Sequence, residues 1–174
     1  MIFRRATQAD LPAMVEIVQQ AQAFMRSQKV DQWQAGYPTQ ADLERDIQQG
    51  NSYVIEEEGQ ILGLEAVVFA PEALYDAMTE GEWLTKGEPY AVIHRGAVRG
   101  DRRGQGLFGA LVKGAEDLCR KRHIHTIRVD THPDNQAMQR ALKKSGFVLC
   151  GRIMLTEGAE AGTPRITLEK VLTD

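Results

Sequence analysis

The sequence has few cysteines and no cluster of metal-binding side chains. Its 174 residues contain only Cys119 and Cys150, and neither belongs to a C-x-x-C pair or lies beside grouped histidines. This spacing indicates neither a disulfide scaffold nor a zinc site, so we expect no metal. Free thiols in a reducing compartment are the expected state of both cysteines.

Long apolar runs and an excess of positive charge are also missing. No apolar run reaches membrane-spanning length, and the first five residues, MIFRR, lack the apolar segment of a signal peptide. We therefore expect a cytoplasmic protein with no membrane partner. The formal net charge of −3 argues against nucleic acid as the main partner and suits a cationic small molecule better.

The remaining pattern is that of one α/β domain over residues 1–174. Hydrophobic residues at 43% and charged residues at 26% are ordinary for a globular protein that buries a core. A short first strand and two helices precede a hairpin, which is followed by a strand, a helix, a strand, a helix and two final strands. This order predicts a mixed sheet of about seven strands with flanking helices.

The most informative stretch is a glycine-rich loop, VRGDRRGQGLFG, which runs from Val98 to Gly109. It joins a strand predicted at 90–98 to a helix. Its glycines let backbone N–H groups converge without a Cβ in the way, and the helix N-terminus adds partial positive charge. Arg102 and Arg103 add two full charges, so we expect this loop to bind an anion such as phosphate or pyrophosphate.

Two interpretations of the loop compete with a more specific one. It could be an ordinary glycine-rich turn with a solvated arginine pair. It could also belong to a dinucleotide fold, since Gly104, Gly106 and Gly109 spell G-x-G-x-x-G and Asp130 lies about where a ribose-binding carboxylate would fall. That motif should open a helix directly from the first strand of a long βαβ series. Here five residues separate Val98 from Gly104, and 65 residues follow Gly109, so the context is wrong.

The more specific interpretation depends on two motifs that occur in order. Four residues separate Val98 from the letters RGQGL at 103–107, which resemble the R-G-x-G-[IL] signature of the GNAT superfamily of acyl-CoA-dependent N-acetyltransferases. Downstream, HPDN at 132–135 leads into a helix that ends at KSGF, residues 144–147, with a spacing similar to that of the superfamily. We therefore interpret the chain as GNAT-like.

This resemblance implies a sheet that splays open after the strand ending at Val98, with the pantetheine arm of acetyl-CoA in the opening. Acetyl-CoA would be the co-substrate, and Asn135 would hydrogen-bond its pantetheine arm. The residues implied to bind it are Ala97, Val98, Arg103, Gly104, Gln105, Gly106, Leu107, Phe108, Gly109 and Asn135. The chain departs from the family at two positions. Phe108 replaces the last glycine or alanine of the signature, and Leu142 replaces a tyrosine that often serves as the general acid.

The implied reaction is direct attack of a primary amine on the thioester. An amine with a pKa of about 10.4 must first lose a proton. A free backbone N–H near Val98 is the expected donor to the negative charge that develops on the thioester oxygen. A departing thiolate leaves reasonably well without an acid, because a free thiol has a pKa near 8.5.

Two residues are candidates for the base that takes the proton. Asp130 lies five residues before Asn135, where some family members place a catalytic glutamate. Its alternative role is to cap the following helix. His94 lies four residues before Val98, so strand alternation predicts both on one face, and its unperturbed pKa suits a base. Its alternative role is that of a buried, hydrogen-bonded histidine. We favour Asp130.

The acceptor is the least determined part of the prediction. Trp33, Tyr37 and Trp83 lie in loops that the fold would place near the site, where they could form an aromatic box for an ammonium group or simply pack onto the core. A small-molecule amine, a peptide N-terminus and a lysine all remain open, as does a homodimer. A non-catalytic acyl-CoA-binding module is the main alternative function because of Leu142, and a dinucleotide-binding protein is the third.

Overall fold

One open sheet forms the centre of the molecule in the computed structural model, which describes residues 1–173. Within those residues the strands number eight. They are β1 (Ile2–Arg5), β2 (Ser52–Glu57), β3 (Gln60–Val68), β4 (Glu80–Gly81), β5 (Ala91–Val98), β6 (Thr126–Thr131), β7 (Val148–Met154) and β8 (Pro164–Val171). Their order is β1-β2-β3-β5-β6-β8-β7-β4, and β5 and β6 are the parallel pair in an otherwise antiparallel sheet. The mixed sheet is confirmed, and the two-residue β4 exceeds the expected number.

Four α-helices are present in residues 1–173, and local capping signals explain where two of them begin. They are α1 (Leu11–Ser27), α2 (Gln40–Gln48), α3 (Leu107–Lys121) and α4 (Gln136–Lys144). A capping box of Thr7 and Asp10 forms a short 3-10 turn that leads into α1. Thr39 and Asp42 cap α2 in the same way, with the amide of each bonded to the side chain of the other. No helix in this part of the chain is long and apolar enough to cross a membrane.

The core occupies both faces of the sheet. On one face, Met14 of α1 and Leu43 of α2 pack against strand residues that include Val54. On the other face, Val112 and Cys119 of α3 belong to a second cluster of strand and helix side chains. Full burial of a side chain of this size contributes about 1.5–3 kcal/mol. The helices are therefore held on the sheet mainly by their apolar stripes.

Strand β5 carries one extra residue where it pairs with β3. Leu64 lies opposite Ala97 and Ala66 lies opposite His94, so a single residue of β3 faces two residues of β5. One of these two is Arg95, whose φ of +52° lies in the left-handed region. This arrangement is a β-bulge, and an extra residue of this kind reverses the alternation of side chains beyond it.

The bulge overturns the expectation that His94 and Val98 share a face. Ile93 packs in the cluster of Val112 on the α3 face, and Val98 also packs on that face, against a cluster that includes Leu111. His94 follows Ile93 directly and therefore points to the opposite face. The alternation argument was wrong because it assumed an uninterrupted strand.

The sheet opens between β5 and β6, as the resemblance implies. The two strands pair only at Ala91 with Ile127 and at Val92 with Arg128, and beyond that point β5 continues beside β3 alone. The amide of Arg99 donates to the carbonyl oxygen of Leu62 at 2.8 Å. Because amide directions alternate along a strand, the N–H of Val98 points away from β3 and into the opening.

Candidate active site

Two cavities flank the opening between β5 and β6 and share part of their walls. The glycine-loop cavity, of about 620 Å³, lies against the end of β5, residues 102–109 and helix α4. The carboxylate cavity, of about 830 Å³, is lined by residues around Asp130, Glu72 and Glu160. Side chains or backbone of five residues line both cavities: Gln32, Trp33, Gly96, Phe108 and Met138. The two cavities therefore meet at the opening.

The glycine loop has the backbone conformation that its sequence predicts. Gly104 and Gly106 have φ values of +78° and +79°. Apart from each glycine and its chain neighbours, no heavy atom of residues 1–173 lies within 4 Å of where a Cβ would be at either position. Gly106 is the N-terminal capping residue of α3, so the free N–H groups of the first helical turn begin here. The loop therefore presents donors and open space together, which is the combination that an anion requires.

Most of the residues predicted to bind the co-substrate line the glycine-loop cavity. They are Ala97, Val98, Arg103, Gly104, Gly106, Leu107, Phe108, Gly109 and Asn135. The exception is Gln105, whose Oε1 accepts a hydrogen bond from Arg102 at 2.7 Å. The guanidinium of Arg103 lies 4.1 Å from the centre of the Phe24 ring, a cation–π contact that fixes it beside α1.

Asn135 uses both ends of its side-chain amide within the protein. Its Oδ1 accepts a hydrogen bond from the amide of Met138 at 3.1 Å, so it caps α4. Its Nδ2 donates to Oε1 of Gln32 at 2.9 Å, which ties α4 to the loop after α1. The capping role is thus present in the structure, and the contact with the pantetheine arm stays a prediction.

Asp130 lies at the end of β6 beside a tyrosine that the sequence did not single out. The hydroxyl of Tyr75 donates to Oδ2 of Asp130 at 2.7 Å. Burial raises the pKa of Asp130, and the hydrogen bond from Tyr75 lowers it in part. Burial also raises the pKa of Tyr75 well above its usual value, so this hydroxyl keeps its proton. Tyr75 and Asp130 both line the carboxylate cavity.

His94 lines the same cavity, 3.8 Å from a carboxylate oxygen of Glu72 through its Nε2. Burial, and then the charge of Arg95, lower its pKa to about 4. The imidazole is therefore neutral at pH 7 and is a weaker base than a free histidine.

The three aromatic residues predicted to bind the acceptor separate into two groups. Trp33 and Tyr37 line the carboxylate cavity, and the hydroxyl of Tyr37 accepts a hydrogen bond from Arg95 at 2.8 Å. Trp83 lines neither cavity. Its Nε1 donates to the carbonyl oxygen of Tyr75 at 2.7 Å, and the guanidinium of Arg128 lies 4.3 Å from its ring centre. Trp83 therefore supports the segment that carries Tyr75.

Comparison with known proteins decides the family. Residues 17–147 match the Acetyltransferase (GNAT) family model. The chain belongs to the GNAT family.

Solved structures agree with this assignment. A GNAT family acetyltransferase from Streptococcus agalactiae 2603 is 30% identical, with a TM-score of 0.88, over 99% of this chain and 96% of that chain. The ribosomal-protein-alanine N-acetyltransferase from Brucella melitensis is similar in fold, with 19% identity and a TM-score of 0.66 over 99% of this chain and 100% of that one. The NatC complex bound to Gag peptide and CoA gives 15% identity and a TM-score of 0.67, covering 99% of this chain and 98% of that chain. No curated protein sequence matches the chain.

The two departures from the GNAT pattern have clear structural settings. Phe108 packs over Gly96, where an added Cβ would lie 3.5 Å from its ring, and so forms part of the wall common to both cavities. Leu142 is buried in the core cluster, so the position where GNAT proteins often carry a tyrosine offers no hydroxyl. The carboxylate cavity is lined instead by two phenols from other segments, Tyr37 and Tyr75, of which Tyr75 contacts Asp130.

Proposed function

We propose that this GNAT protein is an N-acetyltransferase that moves an acetyl group from acetyl-CoA to a primary amine by direct attack on the thioester. The observation that carries the proposal is the meeting of the two cavities at Gly96, Phe108 and Met138. One cavity has an anion-binding loop and the other has carboxylates. A thioester at the meeting point would be open to an amine from the carboxylate side.

The chain's own groups fit acetyl-CoA at the glycine-loop cavity. This co-substrate supplies an activated acetyl group and carries a diphosphate that needs converging donors. The N–H groups at Gly104 and Gly106, the N-terminus of α3 and the guanidinium of Arg103 would hold the diphosphate. The N–H of Val98, directed into the opening, would stabilise negative charge on the thioester oxygen.

We assign Asp130 as the base that takes the proton from the amine. Tyr75 occupies its Oδ2, which orients the carboxylate and leaves Oδ1 for the amine or for an intervening water. When Asp130 takes the proton, the nitrogen–carbon bond forms and the carbon–sulfur bond breaks, with its electron pair leaving on sulfur. Leu142 cannot protonate the thiolate, so the thiolate leaves unassisted or with a proton from water. His94 is the alternative base.

A second candidate function is a non-catalytic acyl-CoA-binding module, which the replacement of a tyrosine by Leu142 favours. Free-thiol release from acetyl-CoA with a panel of primary amines, with the N-acetyl product identified by mass spectrometry, separates the two. Release with at least one amine supports the enzyme. Stabilisation by CoA without release on any amine supports the module.

A matched pair of glycine variants tests the binding site itself. Gly106→Val places a branched side chain where the backbone must approach the diphosphate, so we expect acetyl-CoA affinity to fall at least tenfold, or about 1.4 kcal/mol. Gly59→Val is the control, because Gly59 has the same φ of +79° and equally open surroundings but lies in the β2–β3 turn. Both should lower the melting temperature, and only Gly106→Val should lower affinity. Unchanged affinity in folded Gly106→Val would contradict the assignment of the loop.

A further inference from the structure

The carboxylate cavity carries more negative charge than its own cations balance. Five carboxylates line it, Asp42, Glu72, Asp130, Glu157 and Glu160, against the two guanidinium groups of Arg95 and Arg165. Two of the five are already paired: Asp42 lies 3.2 Å from Arg45, and Glu160 forms an ion pair with Arg165. Arg95 is also committed, because it binds both carboxylate oxygens of Asp46.

Three carboxylates of the cavity are left without a lysine or arginine partner among residues 1–173. They are Glu72, Asp130 and Glu157. The basic side chain that lies beside Glu72 is His94, with its Nε2 3.8 Å from a carboxylate oxygen of Glu72. His94 is neutral at pH 7 because its pKa is about 4, so it does not balance the charge of Glu72. Glu72 is only 33% exposed, so part of its water is already lost. An ammonium group beside Glu72 would supply a cation to pair with its carboxylate.

A single amino group on the acceptor cannot balance the charge of these carboxylates. The reacting amine gives its proton to Asp130 and is then neutral, so it leaves the partly buried Glu72 without a cationic partner, beside a Glu157 that is exposed to solvent. A second cationic group on the same molecule would remain charged and would pair with either of them. The charge distribution therefore favours an acceptor with at least two amino groups.

The walls between the carboxylates indicate what joins those amino groups. Apolar side chains of Val68, Ile93, Val129, Leu142 and Leu155 line the same cavity. A methylene chain that joins two amino groups would gain from burial against these side chains, because removing apolar surface from water is favourable.

The size of the cavity suits a small molecule, and two of the loops that line it are tied together. The amide of Trp33, in the loop after α1, donates to Oε1 of Glu160, in the loop between β7 and β8, at 3.1 Å. This contact bridges the two loops across the cavity. A volume of about 830 Å³ is within the range of small-molecule sites.

We propose that the acceptor is a small aliphatic diamine or polyamine, with one amino group at Asp130 and a second ammonium at Glu72 and Glu157. This inference rests on the proposed acetyltransferase function and names its substrate class. Glu72 and Glu157 act as specificity residues, since they bind the part of the acceptor that does not react. A peptide N-terminus is the competing acceptor, and the experiment includes it.

The test compares butylamine with 1,4-diaminobutane, which differ only by the second amino group, and adds a short peptide with a free N-terminus. Thiol release should give a kcat/KM at least tenfold higher for the diamine than for either alternative. Glu72→Gln should reduce the kcat/KM for the diamine by tenfold or more, and should also reduce the ratio of that kcat/KM to the value for butylamine. Glu157→Gln should change both quantities in the same direction. Glu88→Gln removes an equal charge from an exposed residue that lines neither cavity, and it should change nothing.

Equilibrium binding keeps this inference separate from the proposed function. Calorimetric titration of the folded protein with 1,4-diaminobutane should show binding that Glu72→Gln weakens, and butylamine should bind at least tenfold more weakly. Diamine binding without any turnover would overturn the enzyme and support the cation site. Turnover with equal kcat/KM for butylamine and the diamine, or with the peptide preferred, would overturn the diamine proposal and leave the enzyme standing.

Discussion

Asp130 and Tyr75 are 55 residues apart in the sequence, and a single 2.7 Å hydrogen bond joins them at the end of β6. The position of Asp130 could be predicted, because it depends on its distance from the HPDN motif. Tyr75 could not, because its short 3-10 turn, Ala73–Asp76, has no fixed spacing from that motif, and only the fold brings it to the carboxylate. Local spacing identifies residues that belong to one motif, but it carries no information about a partner supplied by a distant loop.

Replacement of Asp130 by asparagine tests its assignment as the base. Asparagine keeps the shape and can still accept from Tyr75, but it cannot take a proton, so kcat should fall by roughly 10² to 10⁴. The dissociation constant for acetyl-CoA, measured by titration, should stay close to the wild-type value because Asp130 does not line the glycine-loop cavity. His94→Ala is the comparison variant. Near-normal turnover in Asp130→Asn together with its loss in His94→Ala would show that the histidine is the base.

Strand β5 shows at the scale of one element why some of the site follows from sequence and some does not. The glycine loop after β5 was predictable, because left-handed φ values and the helix N-terminus are properties of a few adjacent residues. The bulge at Arg95 was not, because it arises where one residue of β3 faces two of β5. That residue is Glu65, and the same pairing that produces the bulge places it in the sheet interior.

Glu65 is fully buried, and neither of its carboxylate oxygens has a hydrogen-bond partner within residues 1–173. Burial raises its pKa well above the usual value, so it is protonated in the folded protein over a pH range where the unfolded chain ionises it. A raised folded pKa means that stability is fully present below the unfolded pKa, near 4.3, and is lost as pH rises toward the folded pKa. One such group reduces the free energy of unfolding by about 1.4 kcal/mol per pH unit in that window.

The variant Glu65→Gln should remove this pH dependence. Urea unfolding gives the free energy of unfolding of both proteins from pH 5 upward. The value for the variant should rise steadily relative to that of the wild type, until the pH passes the folded pKa of Glu65. The comparison uses the change with pH, since the buried amide has its own desolvation cost at every pH. A difference between the two proteins that stays constant across this range would contradict the placement of an ionisable, unpartnered Glu65 in the core.

The whole molecule is organised by the divergence of β5 and β6. The order of elements predicts an α/β sheet, and the resemblance carried by the two GNAT motifs implies that it opens beside the strand that ends at Val98. In the structure the pairing of β5 with β6 ends at Val92. Which side chains line each cavity was harder to predict. Trp33 and Tyr37 reach the carboxylate cavity, whereas Trp83 packs against Arg128 and Tyr75. In the sequence, all three of these predicted acceptor-binding residues are isolated aromatic residues in loops. Their difference depends on long-range packing.

In the proposed reaction, the co-substrate enters this opening on the side of the glycine loop and meets the acceptor from the other side. Amide hydrogen exchange with and without CoA, at a concentration where calorimetry shows saturation, tests it most directly. We expect slower exchange in peptides that cover residues 97–109 and the start of α4, with no change in β4 or in β7 beside it. Saturating CoA that leaves residues 97–109 unchanged, or that protects the β4–β7 edge instead, would contradict it.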